Sequence, residues 1–541
     1  MSTIPSLRPT DVGAATIDDP RRRRAVLLGV CLALVAVIAS VSGLNVAQPD
    51  VAVEFGISQG TVLWVINAYT VTLAALLLPL GAVGDRWGRR PVLLTGLVVF
   101  GVASAAAGLA PSTEVLLAAR VLAGVGAAMI MPVTLAVITS SFPDEARSQA
   151  IGVWTAVAGA GGLLGMFLSS LLVDVASWRW SFLLPVVLVV TAVVVAVRAV
   201  PDSREARDHG FDVVGALTSV VAVVGLTLLL HEGPERGWTD PVTLGSLVVG
   251  VLGAAAFLGW ELRRGRRGEG PLLDVGLFRE RGLATGSGTL LTVFGVQAGV
   301  SVVLYPFFQA VLGWGGLRST AALLPMALLM MLASGLAPKV AAGIGGRATM
   351  ALGIGVGAVG LALMAGLVSV EGGYPSVLPG IAAMGLGMGL SMTPATEAIT
   401  SSLPRSRQGV ASALNDVTRE FGTALGVALL GAVLSAGYRS AIDPRLEGIP
   451  AETAETARDG AANALAVAEA AGPQAEALTT AARESFVDGW QHGMWVGVGV
   501  MLALLVVVLV RGPRTRAGDD APAEPVGAPA DPARSPDAVD A

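Results

Sequence analysis

The sequence predicts an all-α protein embedded in a membrane, with fourteen spans. Apolar runs of about 20 residues, the length that crosses a hydrocarbon core roughly 30 Å thick, recur along nearly the whole chain. Only 14% of the 541 residues are charged while 53% are hydrophobic, and mean hydropathy is +0.71. Soluble domains carry about 25% charged residues. The charge that is present falls mostly between the runs, as it must when an unpaired charge inside a bilayer is costly.

In order, the runs lie near 25–46, 62–82, 92–111, 114–138, 148–172, 180–200, 213–231, 242–261, 284–311, 319–338, 349–369, 376–401, 408–436 and 490–510. The first is too long, and too poor in a small-residue cleavage site, for a cleaved signal peptide, and counts as a span. Arg21 to Arg24 precede it; Arg86, Arg89 and Arg90 follow the second run. Arg263, Arg264, Arg266 and Arg267 follow the eighth, Arg405 and Arg407 the twelfth, and Arg511, Arg514 and Arg516 the last. With an even number of spans all of these share one side, which the positive-inside rule makes cytoplasmic together with both termini. The opposite loops are acidic or nearly uncharged, as at Asp50, Glu54, Glu114, Glu232, Glu235 and Glu371.

The only large loop, 437–489, then lies outside. It is rich in Ala and Glu, with Glu452, Glu455, Glu469, Glu476 and Glu484 at loosely helical spacing, and reads either as a helical hairpin over the outer mouth or as a solvated linker. Residues 1–20 and 512–541 are Pro-, Ala- and Asp-rich tails, expected to be disordered.

Composition also excludes functions. A net charge of -5 with no basic stripe argues against a nucleic-acid partner. Cys31 is the only cysteine and His209, His231 and His492 lie far apart, so no metal site is expected. No G-x-x-x-x-G-K-[ST] loop exists to hold ATP. No cofactor and no enzymatic activity are expected, which leaves an ion gradient as the driving force. The single lysine, Lys339, among many arginines fits a GC-rich bacterial genome.

Residues 81–93 read G-A-V-G-D-R-W-G-R-R-P-V-L, a glycine-framed knot of charge between two apolar runs. Gly81, Gly84 and Gly88 permit close backbone approach, Asp85 can face a helix N-terminus, and Arg86, Arg89 and Arg90 are expected to anchor the inner surface. The knot resembles the loop between the second and third helices of the major facilitator superfamily. Further matches run from about Val26 to Arg439: Trp64-Val-Ile-Asn-Ala-Tyr69; Arg120 with Gly124 and Gly126; Ser177-Trp-Arg-Trp180; Pro271-Leu-Leu-Asp274; Val311-Leu-Gly313 with Leu323-Leu-Pro325; and Gly409-Val-Ala-Ser-Ala-Leu-Asn415. In that order they are similar to the fourteen-span drug:proton antiporters of the multidrug efflux type. The resemblance implies a six-helix bundle at 21–200, two inserted spans at 201–270 and a second six-helix bundle at 271–511.

Three positions depart from that pattern. Ser40 stands where the first span often carries an acid before Asn45-Val-Ala-Gln-Pro49. Gly165-Met166 and Ser169-Ser170 replace the Gly-Pro-x-x-Gly-Gly end of the antiporter motif. The second-half hairpin, Lys339 to Arg347, keeps its glycines but lacks the acid, so the first-half knot is expected to gate alone.

Ionisable residues inside spans are the default candidates for coupling. Arg120 lies in the fourth span, where the resemblance gives it a role in the proton relay and the alternative is a structural hydrogen-bonding arginine. Asp416 and Glu420 share a face of the thirteenth span, with Arg419 able to neutralise the first. The resemblance assigns the pair to protons or cationic drugs, and the alternative is a salt-bridge cluster holding the span near Asp85. Glu397 reads as a coupling group or a helix-end carboxylate. Asn45, Asn67, Tyr69, Gln297, Tyr305 and Gln309 are cavity candidates or interhelical hydrogen bonds. The expected partners are a small-molecule substrate, protons and the lipid bilayer, for a monomer in a bacterial cell membrane. The function these residues imply is proton-coupled efflux of hydrophobic or cationic drugs; a narrow-specificity metabolite or natural-product carrier of the same fold is the alternative.

Overall fold

The structure is a computed structural model that describes residues 16–201, 203, 210–468 and 474–512. Those residues are helical with no strand among them, and fourteen helices are long and apolar enough to cross a membrane. The first six are α1 (Pro20–Phe55), α2 (Gln59–Trp87), α3 (Arg89–Gly108), α4 (Thr113–Ser141), α5 (Asp144–Val175) and α6 (Trp180–Ala199). An inserted pair follows, α7 (Val213–Arg236) and α8 (Pro241–Arg267). The remainder comprises α9 (Arg281–Pro306), α10 (Gly316–Ala321), α11 (Leu324–Ile344), α12 (Gly346–Leu367), α13 (Gly373–Ser401), α14 (Gln408–Ile442), α15 (Ala451–Arg458), α16 (Ala461–Ala468) and α17 (Ala475–Arg511).

Helix starts follow ordinary capping chemistry. Asp19 accepts from the Arg21 amide at 2.9 Å ahead of Pro20, and Ser58 accepts from Thr61 at 3.2 Å. Most helices overrun their apolar runs at one end or both, because capping polar residues belong to the helix but not to the hydrocarbon.

The tenth span differs from the continuous 319–338 run. It breaks between α10 and α11, because Pro325 has no amide hydrogen to continue the ladder and becomes the start of a new helix. The ninth likewise ends in a π-turn, Phe307–Val311, just after Pro306. Of the two readings of 437–489, the described residues follow the helical one: α15 and α16 pack on each other, and the segment is not a linker. α15 and α16 bury Ala454, Ala457, Ala461 and Ala464 in the same core as Trp490 and Phe486, and the Tyr438 hydroxyl donates to Ala457 O at 2.9 Å. Glu469 lies outside the described residues. The first tail is also shorter than expected, since Ile17 is buried and its amide donates to Ser141 O at 2.9 Å; 1–15 and 513–541 lie outside the described residues.

Two groups repeat one packing pattern. In the first, α3 lies on α4, α2 on α4, and α1 on α5 and α6; in the second, α12 lies on α13, α11 on α13, and α9 on α14. The groups meet where α2 and α4 pack on α14 and where α5 packs on α11 and α13. α7 sits against both α2 and α14, with α8 outside it. Near the C-terminal end of α8, Glu261 accepts from the Leu273 amide at 3.2 Å, tying the inserted pair to the segment that opens the second group.

Candidate functional site

At the arginine-rich face the two groups are latched. The Asp85 carboxylate, 1% exposed near the end of α2, accepts from the Gly409 amide at 2.8 Å and the Val410 amide at 3.2 Å, both in the first turn of α14. First-turn amides have no carbonyl partner in their own helix, and the helix dipole adds positive potential there, so a carboxylate is the fitting acceptor. Gly81 lets α2 reach α14: a Cβ there would lie 2.6 Å from Gly409 O. Gly84 meets Val133 of α4, and Gly88 turns the chain at φ 108.

Arg89 is a correction to the expected surface anchor. It is 5% exposed, pairs with Asp85 at 2.9 Å and donates to Arg405 O at 3.2 Å across the seam. Asp85 holds four positions back on the adjoining helix, and burial of that acid requires a counter-charge. Arg90 donates to Val197 O at 2.6 Å, and Arg86 is partly exposed. Further contacts close the same face: Arg405 to Asp144 at 2.9 Å, Ser334 Oγ to Gly152 O at 3.0 Å, and Ser148 Oγ to Glu397. Glu397 therefore joins the two groups and does not stand as a free helix-end acid.

At mid-depth, roughly 16 Å along α14 from Gln408 at 1.5 Å per residue, lies a second cluster. Asp416 is fully buried, accepts from Asn415 Nδ2 at 3.3 Å and lies 3.5 Å from Arg419 Nη1, while its second oxygen has no partner among the described residues. Glu420 is half-buried and accepts no hydrogen bond among the described residues; it lies in electrostatic range of Arg419 and of Tyr69 across the seam.

Arg120 lies fully buried within the first group. Its Nη1 donates to Ser40 Oγ at 3.0 Å and Ser40 O at 3.3 Å, and its guanidinium stands 4.2 Å over the Tyr69 ring. Ser40, the position without the acid, is thus the direct partner of the buried arginine. The Tyr69 hydroxyl donates to Val37 O at 3.1 Å, so this tyrosine packs inside the first group.

The other candidates scatter. Asn67 is buried on α2; Gln297 and Tyr305 are half-buried on α9; Gln309 is exposed in the π-turn. The Asn45 side chain lies outside the described residues. Trp154 and Phe294, which flank Arg419, were not singled out in the sequence. A tryptophan in mid-span, far from the interfaces where that residue usually sits, was the available signal for the first; Phe294 offered none.

Two six-helix groups closed on one face around buried charges define a membrane carrier of the two-bundle type. The chain belongs to the Major Facilitator Superfamily, whose model matches residues 30–427. It is 31% identical over 428 residues to the multidrug resistance protein Stp of Mycobacterium tuberculosis, covering 79% of each chain. It is 31% identical over 496 residues to the multidrug efflux pump LfrA of Mycolicibacterium smegmatis, covering 91% of this chain and 97% of that one. The crystal structure of the human organic anion transporter MFSD10 covers 91% of this chain and 100% of its own, at TM-score 0.57 and 15% identity, a likeness of fold.

Proposed function

We propose that this protein exports hydrophobic or cationic small molecules from the cytoplasm in exchange for protons, acting as a monomer with both termini and the arginine-rich face inside. The observation that carries the reading is the pair Asp416 and Glu420, held at mid-depth on α14 with acceptor capacity left over. A carboxylate at that depth has to be neutralised, and a proton and a cationic substrate are alternative ways to do it. Two ligands that satisfy the same charge exclude each other, and that exclusion is what exchange requires. Rocking of 21–200 against 271–511 then exposes the pair to one side at a time, with the inserted spans 201–270 riding alongside. Closure of the Asp85 seam corresponds to the state open, or opening, outward. The multidrug names of the two mycobacterial relatives support drugs as the cargo.

The test is reconstitution in liposomes with an imposed pH gradient and a panel of dyes and antibiotics. The parent protein should build an ethidium gradient. Glu420→Gln should lose gradient formation while retaining substrate exchange, since a permanently neutral group mimics the protonated carrier but releases nothing. Gradient formation by Glu420→Gln at the parental rate would rule out this carboxylate as the coupling group. Transport of one metabolite and no dye would instead favour a narrow-specificity carrier.

A further inference from the structure

Arg419 is the one cation in the mid-depth cluster of α14, and its surroundings are those of a bound ligand more than of a structural ion pair. Its guanidinium carbon lies 4.4 Å from the Phe294 ring centroid, on α9 of its own group, and 5.6 Å from the Trp154 ring centroid, on α5 of the opposite group. Nη2 donates to Ala158 O at 3.1 Å, again across the seam. Nε and Nη1 make no hydrogen bond among the described residues, and the nearest Asp416 oxygen is 3.5 Å away, too long for a tight bidentate pair. Trp154 itself is fully buried and held by a bond from Nε1 to Thr134 Oγ1 at 3.0 Å, so that face is rigidly presented. Two aromatic faces, a carboxylate with a spare acceptor and a loosely bonded planar cation on a flexible stem therefore meet at one point, with Glu420 next along α14 in electrostatic range.

We propose that Arg419 is a tethered stand-in for the transported cation: it fills the cradle of Trp154, Phe294, Asp416 and Glu420 when the carrier is empty, and a planar organic cation displaces it when the carrier is loaded. The proposal rests on the efflux reading above and names its substrate class, delocalised cations with a flat face. Displacement has a mechanical consequence. Arg419 reaches Ala158 O from the other group, so a substrate that evicts it also removes an inter-group hydrogen bond at mid-depth. Cation binding thereby loosens the seam that must part, whereas a neutral substrate that leaves Arg419 in place keeps the tether.

The experiment is equilibrium binding of ethidium, and of a neutral hydrophobic dye, to the purified full chain in nanodiscs. Arg419→Gln removes the competing charge while keeping a polar side chain of similar reach. It is expected to bind ethidium about tenfold more tightly, the scale of one desolvated cation–π contact, with the neutral dye changed less than twofold. Trp154→Leu and Phe294→Leu are expected to weaken ethidium about tenfold and spare the neutral dye. Methylguanidinium added to Arg419→Gln should compete with ethidium there and not in the parent. Arg419→Lys and the melting profile serve as the folding check. A well-folded Arg419→Gln with unchanged or weaker ethidium affinity overturns the proposal, as does an equal loss for both dyes, the mark of a plain strut. If the parent binds ethidium and Arg419→Gln does not differ, this inference alone falls. If neither protein binds any cation, the efflux reading falls with it.

Discussion

The hairpins α2–Gly88–α3 and α11–Gly345–α12 share a backbone and differ in chemistry. Each turns at a glycine with positive φ, 108° at Gly88 and 86° at Gly345, where a side chain would be strained. Each presses its first helix onto a glycine of the opposite group. A Cβ on Gly409 would lie 2.3 Å from Gly81 O; one on Gly152 would lie 2.9 Å from Ser334 O and 3.0 Å from Pro338 Cγ. Three residues before the turn, however, one hairpin has buried Asp85 and the other exposed Ala342. The surfaces they face also differ. α14 begins at Gln408, so the Gly409 and Val410 amides are first-turn donors without helical partners, whereas α5 begins at Asp144 and the Gly152 amide already donates within its helix. Among the described residues, an acid at this hairpin position meets first-turn amides at the α2–α14 seam and not at the α11–α5 seam. Across the second seam Ser334 donates to Gly152 O at 3.0 Å and Ser148 to Glu397, and its ion pair, Arg405 with Asp144, is exposed. Two seams related by an internal repeat therefore close with unequal strength, and the charged one should control the rate.

The largest way to break that comparison is Gly409→Ala. Its methyl would collide with both the Gly81 carbonyl and the Asp85 carboxyl, so closure should cost about 3 kcal/mol, the upper range for overpacking. Transport should drop about a hundredfold with normal membrane yield, and spin-label distances across the arginine-rich face should lengthen. A parental rate would mean that the seam does not pack this closely during turnover. Asp85→Asn comes next. It keeps one acceptor, loses the charge and leaves Arg89 buried without its counter-ion, a loss of about 1.5–3 kcal/mol from the closed state. Turnover should fall at least tenfold and the melting temperature should drop by several degrees, and equal turnover would remove the latch.

Smaller effects are expected at the other seam. Ser334→Ala deletes one neutral hydrogen bond across the seam and one within the second group, worth about 1 kcal/mol, and should slow transport only a few-fold. A loss as large as that of Asp85→Asn would erase the proposed inequality. Ala342→Asp should do almost nothing, within about 0.5 kcal/mol, because the new acid is exposed and no free amides face it. For the same reason it should fail to rescue Asp85→Asn in the double variant, and rescue would show that the acid alone makes the latch.

Much of this was legible in the sequence, and the illegible part has a common cause. The limits of most of the fourteen spans could be read within a few residues, since each must satisfy its own backbone hydrogen bonds across an apolar slab and so leaves a local signature; α1 and α17 run well beyond their apolar cores. Gly88 and Asp85 stood out because their chemistry is local to one turn. The inward course of Arg89 did not, because Arg86, Arg89 and Arg90 look alike until one neighbour is buried. Glu397 read as a helix end because its partner Ser148 is 249 residues away.

By itself, then, the sequence determined a membrane-embedded, all-helical chain, its span count, the asymmetry of its charged ends and the scarcity of ionisable groups within the spans. Hydropathy and helix punctuation act over a few turns, and a one-dimensional reading captures them. Tertiary structure alone decided which polar groups meet: Asp85 with amides 324 and 325 positions on, Ser40 with Arg120, and Arg419 between Trp154 and Phe294. Those pairings are set by which faces of distant helices are pressed together, and neither partner carries a local mark of the other.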